Sequence, residues 1–274
     1  MLELVIFDVD GLMIDTESVW KEAFDKAGDK YGIPNLGDTL FPSLIGKRLE
    51  DEQELLDSLL PSDIQDKLLN DWRQMGLSSL EKEVPVKLGL YEMLDFLEQH
   101  HIKMAVATTT RRDLTEQRLK KIEVYDRFDY VLCGDEVTKR KPDPEIYLSV
   151  LKKMNTKAEN AIVLEDSSVG VEAAYRASID CIQVPDLIAP TEVQKGQTIC
   201  IVKDLIEAKD YIKENKDATL LIITHHQKVL EYIKPDYVKV LYNGKIVDSG
   251  DYKLSLEIEE KGYEKYTTNV DTKE

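Results

Sequence analysis

The chain has 274 residues and a formal net charge of −17, with 42% apolar and 32% charged residues, enough apolar material for a core in one large domain or a domain with an appendage. The acidic balance argues against a nucleic-acid partner, and no apolar run approaches the roughly 20 residues of a membrane span. Cys133, Cys181 and Cys200 are far apart in apolar surroundings, which excludes a disulfide framework and predicts reduced thiols in a cytoplasmic protein.

The first predicted element is a strand over Leu4–Phe7, which the chain enters with no signal-peptide pattern. It ends at Asp8, Asp10 and Gly11. Residues 18–82 then read as helical, with turn signals at Gly32-Ile33-Pro34, Leu60-Pro61-Ser62 and Met75-Gly76 and no convincing strand. Such an insertion is a natural helical cap over the strand ends. Beyond it, short apolar strands at 104–107, 130–133, 161–164, 181–184 and 199–202 alternate with amphipathic segments at 89–100, 114–122, 144–154 and 170–176. This rhythm predicts an α/β core at 1–17 and 83–215, a doubly wound, Rossmann-like parallel sheet. Near residue 216 the pattern changes to LLIITHH, a helix, YVKVLYNGKIVDSG and KLSLEIEEKGYE. Asn243-Gly244 is a hairpin signal, so 216–274 is expected to be a small α+β appendage.

Three strands end in residues suited to one task. Asp8-Val9-Asp10-Gly11 follows the first, Thr108 follows 104–107, and Glu165-Asp166 follows 161–164. Open α/β sheets bind ligands at the carboxyl ends of their strands. Parallel neighbours would therefore gather four carboxylates, which repel unless a divalent cation joins them. Oxygen ligands favour a hard ion, here Mg²⁺. Lys141, held extended by Pro142, offers the positive charge an anionic substrate needs. The predicted chemistry is phosphoryl transfer on a small phosphorylated metabolite. Asp8 would attack phosphorus as nucleophile, and Asp10 would be its general acid and base. Lys141 and Thr108 would stabilise the equatorial oxygens, and Gly11 would turn the chain and leave room for phosphate.

These residues resemble the haloacid dehalogenase superfamily, in its phosphatase and β-phosphoglucomutase-like branch. FDVDGLMIDTE, VATTT, KRKPDPEIY and VLEDSSVGVEAA match its motifs in order, over about residues 1–215. The resemblance implies that Asp8, the Asp10 main-chain carbonyl and Asp166 hold Mg²⁺, with Glu165 direct or through water. It also implies the inserted cap. Gly11, Glu17, Trp20, Gly46, Lys47, Arg48 and Thr109 are the candidate substrate contacts, while Trp72 is expected to pack between cap helices. Trp20 stands where mutases of this branch carry a His, which favours hydrolysis over a mutase reaction. A phosphosugar mutase remains the alternative enzyme.

Residues 218–264 resemble the C-terminal end of an ABC-type ATPase of the SufC kind, which serves iron–sulfur assembly. His225 sits at the switch-histidine position. No G-x-x-x-x-G-K-[ST] occurs in the chain, so the tail cannot hydrolyse ATP by itself. It is expected to have little core, and its partners are unknown. A non-enzymatic scaffold recruited through this tail is the alternative of another class.

Overall fold

A computed structural model describes residues 2–44, 49–215, 235, 237–242, 244–262 and 264–267, with backbone alone at 49–53, 259–261, 264 and 267. Two compact units share the chain, Met1–Ala218 and Thr219–Glu274. The first opens with β1 (Leu4–Phe7), and five helices follow: α1 (Thr16–Lys30), α2 (Leu36–Thr39), α3 (Phe41–Leu44), α4 (Leu49–Leu59) and α5 (Gln65–Lys82). Strands and helices then alternate as α6 (Leu90–Gln99), β2 (Lys103–Ala107), α7 (Arg112–Lys121), β3 (Tyr130–Leu132), α8 (Glu145–Met154), β4 (Ala161–Glu165) and α9 (Ser168–Arg176). The unit closes with β5 (Asp180–Gln183), α10 (Glu192–Gln197), β6 (Cys200–Ile201) and α11 (Leu205–Asn215).

The strands form one parallel sheet, as the apolar runs predict, and its order is β3-β2-β1-β4-β5-β6. The runs lack alternation because both faces are covered. Val5 and Phe7 of β1 pack with α6, α7 and α11, while Leu4 and Ile6 pack with α8 and α9. Each such side chain contributes about 1.5–3 kcal/mol over its exposed state. β1 pairs with β2 and with β4 in the middle of the sheet. The short α10, EVQKGQ, was not legible as an element: it has no buried residue and rests on a capping box between Thr191 and Gln194.

The helical insertion is a cap with its own core. Ala23, Phe24 and Ala27 of α1 pack with Leu36, Leu40, Phe41, Leu44, Leu68, Leu69 and Trp72. It leaves and re-enters the sheet at one place, because Asp15 N–H donates to Pro85 O and Lys87 N–H to Met13 O, both at 2.9 Å. The Lys87 ammonium adds a clamp on this stem, 2.6 Å from Asp186 Oδ1 and 3.3 Å from Asp15 Oδ1.

The second unit pairs β7 (Val238–Tyr242) with β8 (Lys245–Gly250) in an antiparallel hairpin, followed by α12 (Tyr252–Lys261) and α13 (Glu264–Thr267). Gly244 has φ +75°, the conformation this hairpin turn demands. Val240, Ile258 and Tyr266 form its core, while Leu241 and Ile246 of the hairpin are exposed. LLIITHH and His225 lie outside the described residues. Among the described residues no helix is long and apolar enough to cross a membrane.

Candidate active site

Strand register assembles the site. Phe7 lies opposite both Val106 of β2 and Leu164 of β4. The next residues therefore emerge together at the carboxyl edge: Asp8 from β1, Ala107 and Thr108 from β2, and Glu165 and Asp166 from β4. Ligand oxygens of Asp8, Glu165 and Asp166 all lie within 4.8 Å of one another.

Lys141 reaches this cluster from the loop before α8, and its side chain is 2% exposed. Its ammonium donates to Asp8 Oδ1 at 2.6 Å, Glu165 Oε1 at 2.6 Å and Ala107 O at 3.0 Å. Those three acceptors use all the donors an ammonium has. Lys141 therefore does not present a spare N–H to a substrate in this state. It offers its charge and holds Asp8 in place. The Tyr147 ring stands 5.0 Å from Nζ, and its hydroxyl donates to Glu165 Oε1 at 3.1 Å. Ser167 N–H and its hydroxyl both donate to Glu165 Oε2 at 2.9 Å, and the same hydroxyl accepts from Gly170 N–H as the cap of α9.

The charges do not balance within the cluster. Burial pushes the Asp8 carboxyl up to about 7; Lys141 opposes the shift and Glu165 adds to it. Burial, then the charges of Glu165 and Asp8, raise Asp166 well above the usual carboxylate range. Glu165 goes the other way, because Lys141 and Ser167 outweigh its burial and hold it low. Lys141 is raised well above an ordinary lysine, since the attraction of Asp8 and Glu165 exceeds the cost of burial.

Asp10 sits beside this group with a different set of partners. Its Oδ1 accepts from Arg118 Nη1 at 2.8 Å and its Oδ2 from the Thr110 hydroxyl at 2.6 Å. Thr108 is buried and its Oγ1 accepts from Thr110 N–H at 3.1 Å, while Thr109 is exposed. Gly11 has φ +83°, and a Cβ there would lie 2.3 Å from Asp166 Oδ2. Only glycine permits both the turn and that approach.

The candidate substrate contacts are less gathered. Glu17, in the first turn of α1, is pushed up to about 7 by burial and by the charges of Asp186 and Asp10, so near neutral pH it can donate a hydrogen bond. Trp20 packs against the cap core, edge-on to Trp72, with its ring over Gly76. Trp72 is buried and donates its indole N–H to Trp20 O at 2.9 Å, the packing role expected of it. Gly46, Lys47 and Arg48 lie outside the described residues.

Sequence reasoning missed Tyr147, Thr110, Arg118 and Gly170. Arg118 had a signal: it falls on the stripe Thr115, Arg118, Leu119, Ile122, where a helix of this kind places core residues. Gly170 is a close-approach glycine. A Cβ there would lie 1.7 Å from Glu165 Oε1. Gly170→Ala is expected to lose about 1–3 kcal/mol of stability to this overlap, more than the roughly 1 kcal/mol that alanine gains in a helix interior. Urea unfolding of the variant measures the balance; a net gain would show that Glu165 moves aside freely.

A divalent cation fits this site by its chemistry. Asp8, Glu165 and Asp166 place three carboxylates against one ammonium. The Asp166 carboxylate has no recorded hydrogen-bond partner among the described residues, whereas both Glu165 oxygens are engaged. Each Asp8 oxygen accepts one bond, from Lys141 and from Val9 N–H at 2.6 Å, whereas Glu165 already accepts four, so Asp8 and Asp166 would be the direct ligands, with Glu165 behind them.

A family model described as haloacid dehalogenase-like hydrolase matches residues 5–184. The chain is 38% identical over 186 residues to the phosphorylated carbohydrates phosphatase of Thermotoga maritima, covering 65% of this chain and 83% of that protein. It is also 33% identical over 145 residues to the probable ATP-dependent transporter SufC of Escherichia coli, covering 52% of each, so it spans about half the length of that relative. The crystal structure of CbbY from Rhodobacter sphaeroides in complex with phosphate superposes with a TM-score of 0.60 at 24% identity, over 76% of this chain and 96% of that one, a likeness of fold.

Proposed function

Since this chain belongs to the haloacid dehalogenase-like hydrolase family, we propose that it hydrolyses a phosphorylated carbohydrate through an aspartyl-phosphate on Asp8, with Mg²⁺ bound at the acidic cluster. The observation that carries this reading is the Lys141 ammonium bridging Asp8 and Glu165 at the mouth of the sheet. It holds Asp8 in a position that does not depend on the substrate, as a nucleophile requires. The name of the Thermotoga relative supports a carbohydrate as the alcohol portion.

In the first half-reaction an Asp8 oxygen attacks phosphorus. The bond from phosphorus to the sugar oxygen breaks, and Asp10 gives its proton to that oxygen. In the second, Asp10, now ionised, takes a proton from water as the water oxygen attacks phosphorus. Asp8 is released, and inorganic phosphate leaves. Lys141 keeps Asp8 aimed throughout and lends positive charge to the equatorial oxygens, and Thr108 lies beside them. Bound by Asp8, Asp166 and the Asp10 carbonyl, with Glu165 behind, Mg²⁺ would supply charge neutralisation for the phosphoryl group. Gly11 leaves the space this group needs.

A panel of phosphosugars with and without Mg²⁺, read by inorganic phosphate release, tests the proposal. Turnover is expected with Mg²⁺ and is expected to stop on chelation. Conversion of β-glucose 1-phosphate to glucose 6-phosphate without matching phosphate release would replace hydrolysis by a mutase reaction. Removal of residues 219–274, a separate compact unit, is expected to leave turnover unchanged. Loss of turnover on that truncation would assign the tail a part in catalysis.

A further inference from the structure

Arg118 is a cation where the fold asks for an apolar side chain. It sits on the buried stripe of α7 with Thr115 and Leu119, and its side chain is 7% exposed. Burying a guanidinium costs several kcal/mol unless it is paired. Its recorded side-chain partner is Asp10, across 2.8 Å. The small cavity beside it has an apolar part from Leu77 and Leu80 of α5, Val84 and Leu114, and a polar part from Glu81, Gln117 and Lys121. The apolar part of that lining offers a guanidinium no hydrogen bond, and the pairing with Asp10 supplies one.

We propose that Arg118 is a positioning residue for Asp10, acting with Thr110 to fix the orientation of its carboxyl group. This rests on the reading of Asp10 as general acid and base. A carboxyl group turns easily about its last bond, because that torsion is broad. Arg118 holds Oδ1 and the Thr110 hydroxyl holds Oδ2, from two different segments of the chain. Each oxygen retains a second lone-pair direction, so the sugar oxygen or the water can still be reached. What the pair removes is the rotational search before each proton transfer. Such orientation is worth most when the leaving group cannot depart without a proton.

That dependence separates positioning from a merely structural salt bridge. The test compares kcat/KM for the alkyl phosphate that the full-length wild type turns over fastest with kcat/KM for 4-nitrophenyl phosphate, whose leaving group needs little protonation. Arg118→Met is expected to lower the alkyl value by about 10- to 100-fold, within the range of general acid catalysis, and the aryl value at least ~10-fold less. Arg118→Lys restores part of the alkyl rate, Thr110→Val shows the same selectivity, and Asp10→Asn shows it more strongly. Should Arg118→Met fail to fold, Arg118→Lys and Thr110→Val carry the comparison. Equal losses on both esters, or no alkyl loss, would overturn the inference while Asp10→Asn still reports on the acid. Wild type that turns over neither ester, or Asp10→Asn without selectivity, would instead overturn the reading of the site beneath it.

Discussion

Asp8→Asn is expected to lower kcat by on the order of 10⁴- to 10⁶-fold, the scale on which loss of a covalent nucleophile is felt, while the fold survives. The amide keeps the volume and an oxygen that can accept from Lys141, but it has no nucleophilic carboxylate. The variant should also be more stable than wild type in metal-free buffer near neutral pH. Three clustered carboxylates, those of Asp8 and Glu165 buried and that of Asp166 half-buried, face one ammonium, and the substitution removes one negative charge from the side in excess.

The pH dependence of that gain follows from the Asp8 carboxyl, which stands at about 7 in the folded chain against 3.8. Between those values the native state binds more protons at Asp8 than the unfolded state does. Wild-type stability relative to Asp8→Asn is therefore greatest below the unfolded value and falls as pH rises through about 7. Thermal unfolding of both proteins across this window, with and without Mg²⁺, checks it. The stability gap should open with rising pH in chelator and shrink when the metal is added. A gap that narrows with rising pH would mean that Asp8 is ionised and well compensated without metal.

Lys141→Met should be the most damaging single change to the metal-free fold. Its side chain fits the same channel, but Asp8 and Glu165 lose their shared counter-charge and Ala107 O its recorded donor. Removing one partner from a buried ion pair costs about 3–5 kcal/mol. Activity should vanish with it. Two additions separate charge from packing. Mg²⁺ should recover part of the lost stability, because it supplies positive charge at the same carboxylates. The double variant Lys141→Met with Glu165→Gln should also recover part, because it removes a stranded anion. A double variant no better than the single one would assign the loss to packing alone.

The two substitutions draw on different parts of what was legible in advance. LVIF followed by Asp8 and Asp10, and AIVL followed by Glu165 and Asp166, announce both the strands and the chemistry at their ends. Apolar runs without alternation require burial on two faces, and a parallel sheet then delivers the following residues to one edge. The insertion was legible because its helical periodicity is never interrupted by a strand. Asn243-Gly244 likewise predicted a hairpin that β7 and β8 form. Arg118 was harder. Its helix was visible, but a charged residue on a core stripe has no identifiable partner until the helix is docked.

By itself, the sequence determined which residue types stand at the ends of which strands, since backbone periodicity and turn chemistry are local properties. Only the tertiary structure decided how they are paired. It placed Lys141 between Asp8 and Glu165 rather than free towards a substrate, set Tyr147 and Ser167 on Glu165, and gave Asp10 to Arg118 and Thr110. Those pairings join residues up to 133 positions apart. They depend on helix docking and strand register, and a hydrogen bond exists only where two atoms come within about 3 Å.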